Sequence, residues 1–169
     1  AGDRAQQYLA ALRSVGTVPA ARQRTDSHAF VAALADTANA LCRPAKLHFV
    51  LQEQWQGQFL CAAPELSRAL ENMLDNAVRY TPAGGTVTLD VSKTEDTLVF
   101  TVTDTGPGFT PEALHKAGQF LYTDAARPCN GHQGLGLYLA RSVAQAHVGK
   151  LVLANTGTGA QVQLCLPMQ

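Results

Sequence analysis

The apolar positions along the chain change period several times, and each change marks an element. In TDSHAFVAALADTANALC (25–42) hydrophobic residues recur at helical spacing behind Thr25, Asp26 and Ser27, any of which can serve as an N-cap, and Pro44 is expected to close the helix. KLHFVLQ (46–52) alternates as a strand and FLCA (59–62) reads as a short one. APELSRALENMLDNAVRY (63–80) returns to the helical period: Leu70, Met73, Leu74, Ala77 and Val78 share one face, and Pro82-Ala83-Gly84-Gly85 ends the helix. TVTLDVSK (86–93) and TLVFTVTD (97–104) alternate β-branched and polar residues on either side of a short polar turn, which predicts an antiparallel hairpin. From about Thr110 to Gln133 the periodicity fades among Pro111, Pro128 and Gly131, as in a long functional loop or a disordered segment. Order resumes in GLGLYLARSVAQAH as a helix, followed by KLVLAN (150–155) and QVQLCLP (161–167) as closing strands.

Helices and strands thus alternate around at least one hairpin, which points to a mixed sheet with helices packed on a face. The other face tolerates solvent or a partner, because Thr86, Thr88 and Asp90 alternate with Val87, Leu89 and Val91. Residues 3–14, DRAQQYLAALRS, look helical but are cut off by VGTVPAARQ with Gly16 and Pro19. Residues 1–19 are therefore read as the tail of an upstream helix with its linker, and 20–169 as one domain.

Composition narrows the function classes. At 169 residues with 46% hydrophobic content the chain can bury a core without metal or disulfide staples. A formal net charge of zero and the absence of a basic run exclude a long-range pull toward nucleic acid or anionic membrane, so an anionic ligand must be held locally. Cys42, Cys61, Cys129 and Cys165 form no C-x-x-C pair, which indicates free thiols in a reducing, cytoplasmic compartment. No apolar run approaches the roughly 20 residues of a spanning helix, so any membrane anchor of a parent protein lies elsewhere.

The helix 63–80 carries an anomaly. Asn72 and Asn76 stand four apart beside the apolar face, flanked by Glu71 and Arg79, although asparagine gains nothing from a helix interior. Mg²⁺ takes oxygen ligands and keeps several waters, so Asn76 could supply one ligand to a nucleotide-bound ion while Asn72 orders a phosphate oxygen or a water. Arg79 could add a phosphate contact and Tyr80 an aromatic wall. Taken alone, this segment is better accounted for by a polar helix face in solvent. In DTGPGF (104–109), Asp104 offers an acceptor-only carboxylate to an exocyclic amine while Gly106 and Gly108 let a flat ligand approach; a plain Gly-Pro-Gly turn is the competing reading. GLGLYLAR (134–141) sets Gly134 and Gly136 at a helix entrance, where free N–H groups can bind phosphate, or where glycine merely relieves a corner. Neither glycine pattern is a Rossmann fingerprint or a P-loop.

Taken in order, ENMLDNAVRYTP, DTGPGF and GLGL resemble the N box and the two glycine boxes of the catalytic ATP-binding domain of two-component sensor histidine kinases, in the group that includes DNA gyrase B subunit, Hsp90 and MutL. The resemblance spans about residues 20–167. It implies an α+β fold, a two-layer α/β sandwich whose mixed, mostly antiparallel sheet carries about three helices on one face. It also implies ATP and Mg²⁺ as cofactors, Asn76 as metal ligand and Asp104 on the adenine amine. Asn72, Arg79, Tyr80, Gly106, Gly108, Phe120, Gln133, Gly134, Leu135 and Gly136 complete the implied nucleotide site, with a lid over about 110–133. Glu71, with Asn72, is the candidate to polarise the phosphate acceptor.

Three places depart from the family pattern. AGQFLYTD keeps one lid phenylalanine, Phe120; His132 stands where many members have glycine; and Ala160 in GTGAQV replaces a usual threonine. None of His28, His48, His115, His132 or His147 is followed by an acidic residue, so none fits the family's phosphoacceptor. The implied reaction is therefore transfer of the ATP γ-phosphate to a histidine on a separate helical hairpin of a dimeric bacterial kinase, for relay to a response regulator receiver domain. The parent is expected in the inner membrane and the isolated domain as a monomer without nucleic-acid partners. Alternatives are a serine kinase of the anti-sigma type, a nucleotide-sensing module without catalysis, or a gyrase-like machine. The last needs a glutamate where Asn72 stands.

Overall fold

Asp26 ends β1 (Gln23–Asp26) and caps α1 (Ser27–Ala45): its Oδ2 accepts the Ala29 N–H at 3.0 Å. The computed structural model describes residues 21–116 and 135–168. Helix α1 does not close at Pro44. It runs through to Ala45 and turns at Lys46, a left-handed residue with φ 59 whose N–H bonds the Arg43 carbonyl at 3.1 Å. Proline is tolerated there because its missing N–H costs only one bond of the final turn.

The chain continues through β2 (His48–Glu53), β3 (Gln58–Cys61), α2 (Ala63–Tyr80), β4 (Thr86–Thr94), β5 (Thr97–Asp104), α3 (Pro111–Lys116), α4 (Leu135–Ala146), β6 (Lys150–Asn155) and β7 (Ala160–Pro167). Five strands form one sheet in the order β2-β4-β5-β7-β6, and β1 pairs with β3 separately. The β2–β4 pair is parallel, since α2 intervenes as a crossover, and the other pairs are antiparallel. The predicted hairpin is β4–β5, with Leu89 opposite Val102 and Val91 opposite Phe100. Two elements differ from the expectation. β1 takes up Thr25 and Asp26, expected only as N-cap candidates, together with the two residues before them, and α3 lies inside the segment that shows no periodicity.

Alternation sorts the sheet into two faces. Val87, Leu89, Val91, Leu98, Phe100 and Leu164 point inward and are fully buried, whereas Thr88, Asp90 and Thr103 on the opposite face are partly exposed. Helix α1 covers β2, α2 covers β4 and β5, and α4 covers β6 and β7. Val31 and Leu34 of α1, Leu66, Leu70, Met73 and Leu74 of α2, and Val143 of α4 join this core, each large side chain contributing about 1.5–3 kcal/mol by burial. Phe30, Phe59 and Phe100 meet with ring centroids 5.9–6.1 Å apart, tying α1 and β3 to the sheet. This is the α+β two-layer sandwich expected, with α1, α2 and α4 on one face of the sheet.

Helix α2 sits between α1 and α4. Its N-cap, Ala62, has no capping side chain, and its N–H instead donates to the buried His147 Nε2 at 3.0 Å. The His147 Nδ1–H donates to the Val143 carbonyl at 2.9 Å, which fixes the neutral tautomer. Burial holds the His147 pKa below its ordinary value. Among the described residues no helix is long and apolar enough to cross a membrane.

Candidate functional site

Asp104 closes β5 and is almost wholly buried, at 3% exposure. Its Oδ1 accepts the Gly106 N–H at 2.9 Å and the Ala160 N–H, at the head of β7, at 3.3 Å. The residue at the family's threonine place thus reaches Asp104 through its backbone. Gly106 has a steric reason: a Cβ there would lie 2.5 Å from the Tyr80 carbonyl oxygen. The end of α2 and the loop after β5 therefore meet, bringing Tyr80, Asp104 and Gly106 together.

Gly108 has a different reason. A Cβ there would lie 2.6 Å from Asn155 Oδ1. Asn155, the last residue of β6, accepts the Phe109 N–H at 2.7 Å and donates Nδ2 to the Phe109 carbonyl at 2.8 Å. The hydroxyl of Thr110 then accepts the Ala113 N–H at 3.0 Å and starts α3. Sequence reasoning missed both Asn155 and Thr110. A threonine two residues before an acidic helical start was a legible cap signal; an asparagine before Thr-Gly is an ordinary turn residue and gave none.

On α2, Asn72 is buried at 9% exposure, and its Nδ2 has no hydrogen-bond partner among the described residues. Asn76, one turn on, is half-buried. The buried Asp75 between them faces the Arg79 guanidinium, Oδ2 to Nη2 3.7 Å. Glu71 is partly buried, and its Oε1 accepts the Ser67 hydroxyl at 3.0 Å. An unpartnered buried amide donor costs on the order of 1–3 kcal/mol, so the Asn72 Nδ2 has a bond to give to an acceptor from outside the described residues. Being a donor, that nitrogen suits an acceptor such as a phosphate oxygen and cannot ligate a cation. The Asn76 oxygen can. Among the described residues no cluster of three or more His, Cys, Asp or Glu is placed to hold a metal. A Mg²⁺ here would take most of its ligands from phosphate and water, which is this ion's habit, so the residues fit it as part of a nucleotide complex.

Leu135 and Gly136 open α4, the helix packed along α2, so the N–H groups of that entrance belong to the same helical layer as the asparagines. Phe120, His132, Gln133, Gly134 and the part of the expected lid beyond Lys116 lie outside the described residues, as does the leading helix 3–14, whereas the start of that lid forms α3.

The family described as "Histidine kinase-, DNA gyrase B-, and HSP90-like ATPase" matches residues 61–169. The chain is 42% identical over 106 residues to the sensor histidine kinase SpaK of Bacillus subtilis, covering 62% of this chain and 23% of SpaK. It is 30% identical over 177 residues to the sensor protein SphS of Synechococcus elongatus, covering 96% of this chain and 43% of SphS. The chain thus spans less than half the length of either relative. Its fold matches full-length ShkA in complex with AMPPNP with a TM-score of 0.81 at 23% identity, over 95% of this chain and 34% of ShkA. The matched segment contains α2, the Asp104 loop and α4, and on that evidence the chain belongs to the histidine kinase-, DNA gyrase B- and HSP90-like ATPase family, as an ATP-binding domain of the sensor histidine kinase kind.

Proposed function

We propose that this domain binds Mg·ATP and presents its γ-phosphate to a histidine on a separate helical hairpin of a dimeric sensor kinase, for relay to the receiver domain of a response regulator. The observation that carries the reading is the buried amide donor of Asn72, unpaired among the described residues, on the helix whose end touches the Asp104 loop. Support also comes from the sensor kinases among its relatives and from the ATP analogue held by ShkA.

Asp104, held by two backbone N–H groups, accepts the exocyclic amine of adenine; guanine would set a carbonyl against that carboxylate and be rejected. Tyr80 and Gly106 wall the base. Asn72 donates to a phosphate oxygen, the Asn76 oxygen ligates Mg²⁺, and Arg79 adds positive charge near the phosphates. The backbone of Gly134, Leu135 and Gly136 at the entrance of α4 receives phosphate oxygens, with Phe120 and Gln133 contributing from the lid. Bound Mg²⁺ supplies neutralisation of the phosphate charge. An imidazole nitrogen of the acceptor forms the new P–N bond as the bond to the β–γ bridging oxygen breaks. Because the transition state is loose, positioning and charge stabilisation are the protein's main contributions. Glu71 is the nearest carboxylate on α2 to polarise that nitrogen. On this reading the domain works in the cytoplasm, the parent is anchored in the bacterial inner membrane, and the isolated domain is a monomer.

The test is calorimetric titration followed by phosphotransfer. Wild-type protein should bind ATP with Mg²⁺ and discriminate against GTP. Asn76→Ala should lose the Mg²⁺-dependent part of the affinity at least about tenfold with its melting temperature retained, and Asp104→Asn should lose the preference for adenine. With labelled ATP and an added hairpin fragment the product should be acid-labile phosphohistidine. Acid-stable phosphoserine on an anti-anti-sigma protein would favour a serine kinase, and no heat with ATP would end the reading.

A further inference from the structure

Asn155 makes a contact that the nucleotide chemistry above does not use. Its carboxamide closes both polar groups of one residue, Phe109: the oxygen accepts the N–H at 2.7 Å and the nitrogen donates to the C=O at 2.8 Å. This is the two-bond exchange of an antiparallel bridge, performed by a side chain. The amide orientation is fixed by its partners, since a backbone N–H requires the oxygen and a backbone C=O requires the NH₂. Phe109 is buried in the core, so its peptide groups need such partners. In the sheet β7 separates β5 from β6, and the Asn155 side chain bridges that gap to the loop following β5. Gly108 testifies independently, because any Cβ there would strike Asn155 Oδ1.

We propose that Asn155 is a positioning residue of the nucleotide site: by clamping Phe109 it holds the 104–109 loop in the shape that keeps Asp104 aimed at the purine. The inference rests on the ATP reading above. Pro107 and Gly108 alone separate the clamped residue from Gly106, whose N–H holds Asp104 Oδ1 at 2.9 Å. Freeing Phe109 releases that N–H and loosens the carboxylate, which keeps the longer bond from the Ala160 N–H at 3.3 Å. The effect therefore falls on the purine end, and ATP and ADP weaken by the same factor. Asparagine suits the place because it offers both a donor and an acceptor: aspartate lacks the donor and would repel the Phe109 carbonyl, and alanine removes both bonds.

The experiment measures ATP and ADP affinity by calorimetry, with Mg²⁺, well below the melting point, for the wild-type chain, Asn155→Asp, Asn155→Ala, Gly108→Ala and the Gly108→Ala/Asn155→Ala double variant. Each single variant should bind both nucleotides about tenfold more weakly, and the double no more weakly than the worse single, because one contact is removed twice. Should Asn155→Ala melt below the assay temperature, the isosteric Asn155→Asp and Gly108→Ala carry the same comparison. A lowered melting temperature with wild-type affinities, or losses that multiply in the double variant, overturns the proposal. Wild-type protein that binds no ATP overturns the parent reading along with it; unchanged binding in the variants overturns the clamp alone.

Discussion

At the scale of single residues, Asn72 and Asn155 are the same amino acid in opposite circumstances. Asn155 spends its donor and acceptor on one residue, whereas Asn72 keeps a buried donor unpaired among the described residues. The first stabilises the ligand-free protein and the second costs it stability, so the two should respond to mutation with opposite signs. Asn72→Leu should raise the stability of the ligand-free domain by about 1 kcal/mol, since it replaces a desolvated, unpaired amide with an apolar side chain of similar size. The same change should remove the thermal shift produced by Mg·ATP. Urea denaturation with and without nucleotide measures both, and a Leu variant less stable than wild type would mean that the amide is satisfied in solution. The asparagine pair on α2 was legible in the sequence because it breaks a strong helical period. Asn155 was not, because its role depends on Phe109, 46 positions earlier.

Among the elements, α2 shows how a helix can borrow its cap. Ala62 offers no side-chain acceptor, and the ring of His147, just past the end of α4, takes the N–H instead. His147→Ala should destabilise the domain by about 1–3 kcal/mol, because it leaves that buried N–H without an acceptor, while His147→Gln should recover part of the loss. Thermal denaturation at neutral pH tests both. The long elements were readable: α1, α2 and the β4–β5 hairpin carry enough turns or alternations for their period to dominate. The short ones were not. The six residues of α3 hold under two helical turns, and the four of β1, Gln-Arg-Thr-Asp, are polar and are strand only through pairing with β3. The stop expected at Pro44 failed for a local reason, since a final turn tolerates a missing N–H.

For the whole molecule, two histidines oppose each other in one pH window. The hydrogen bond and charge of Glu53 hold the His28 pKa above its ordinary 6.5. Its contribution is therefore fully present below about 6.5 and is lost as the pH rises through the native value. Burial lowers the His147 pKa, with Arg22 adding to the effect and the Val143 carbonyl and Glu65 opposing it. Its contribution is present above about 6.5 and is lost as the pH falls toward the native value. The wild-type domain should show a shallow pH dependence of melting temperature on the acid side of neutrality, and His28→Ala a steeper loss of stability on acidification. A shallower loss in that variant would contradict the assignment. Ala62, which bonds His147, lies at the head of α2, and Glu53, which bonds His28, lies in β2, so both environments are assembled only in the folded chain.

The order of periods along the chain was enough to determine the type and the hydrophobic face of each long element, and three polar and glycine motifs in a fixed sequence, because these depend on residues a few positions apart. Strand order, the parallel β2–β4 pair, the capping of α2 by His147, the seating of Asp104 by Gly106 and Ala160, and the Asn155 clamp were decided by tertiary structure. Each of these joins groups far apart in sequence, and which buried donor meets which acceptor is settled only when the core closes around them.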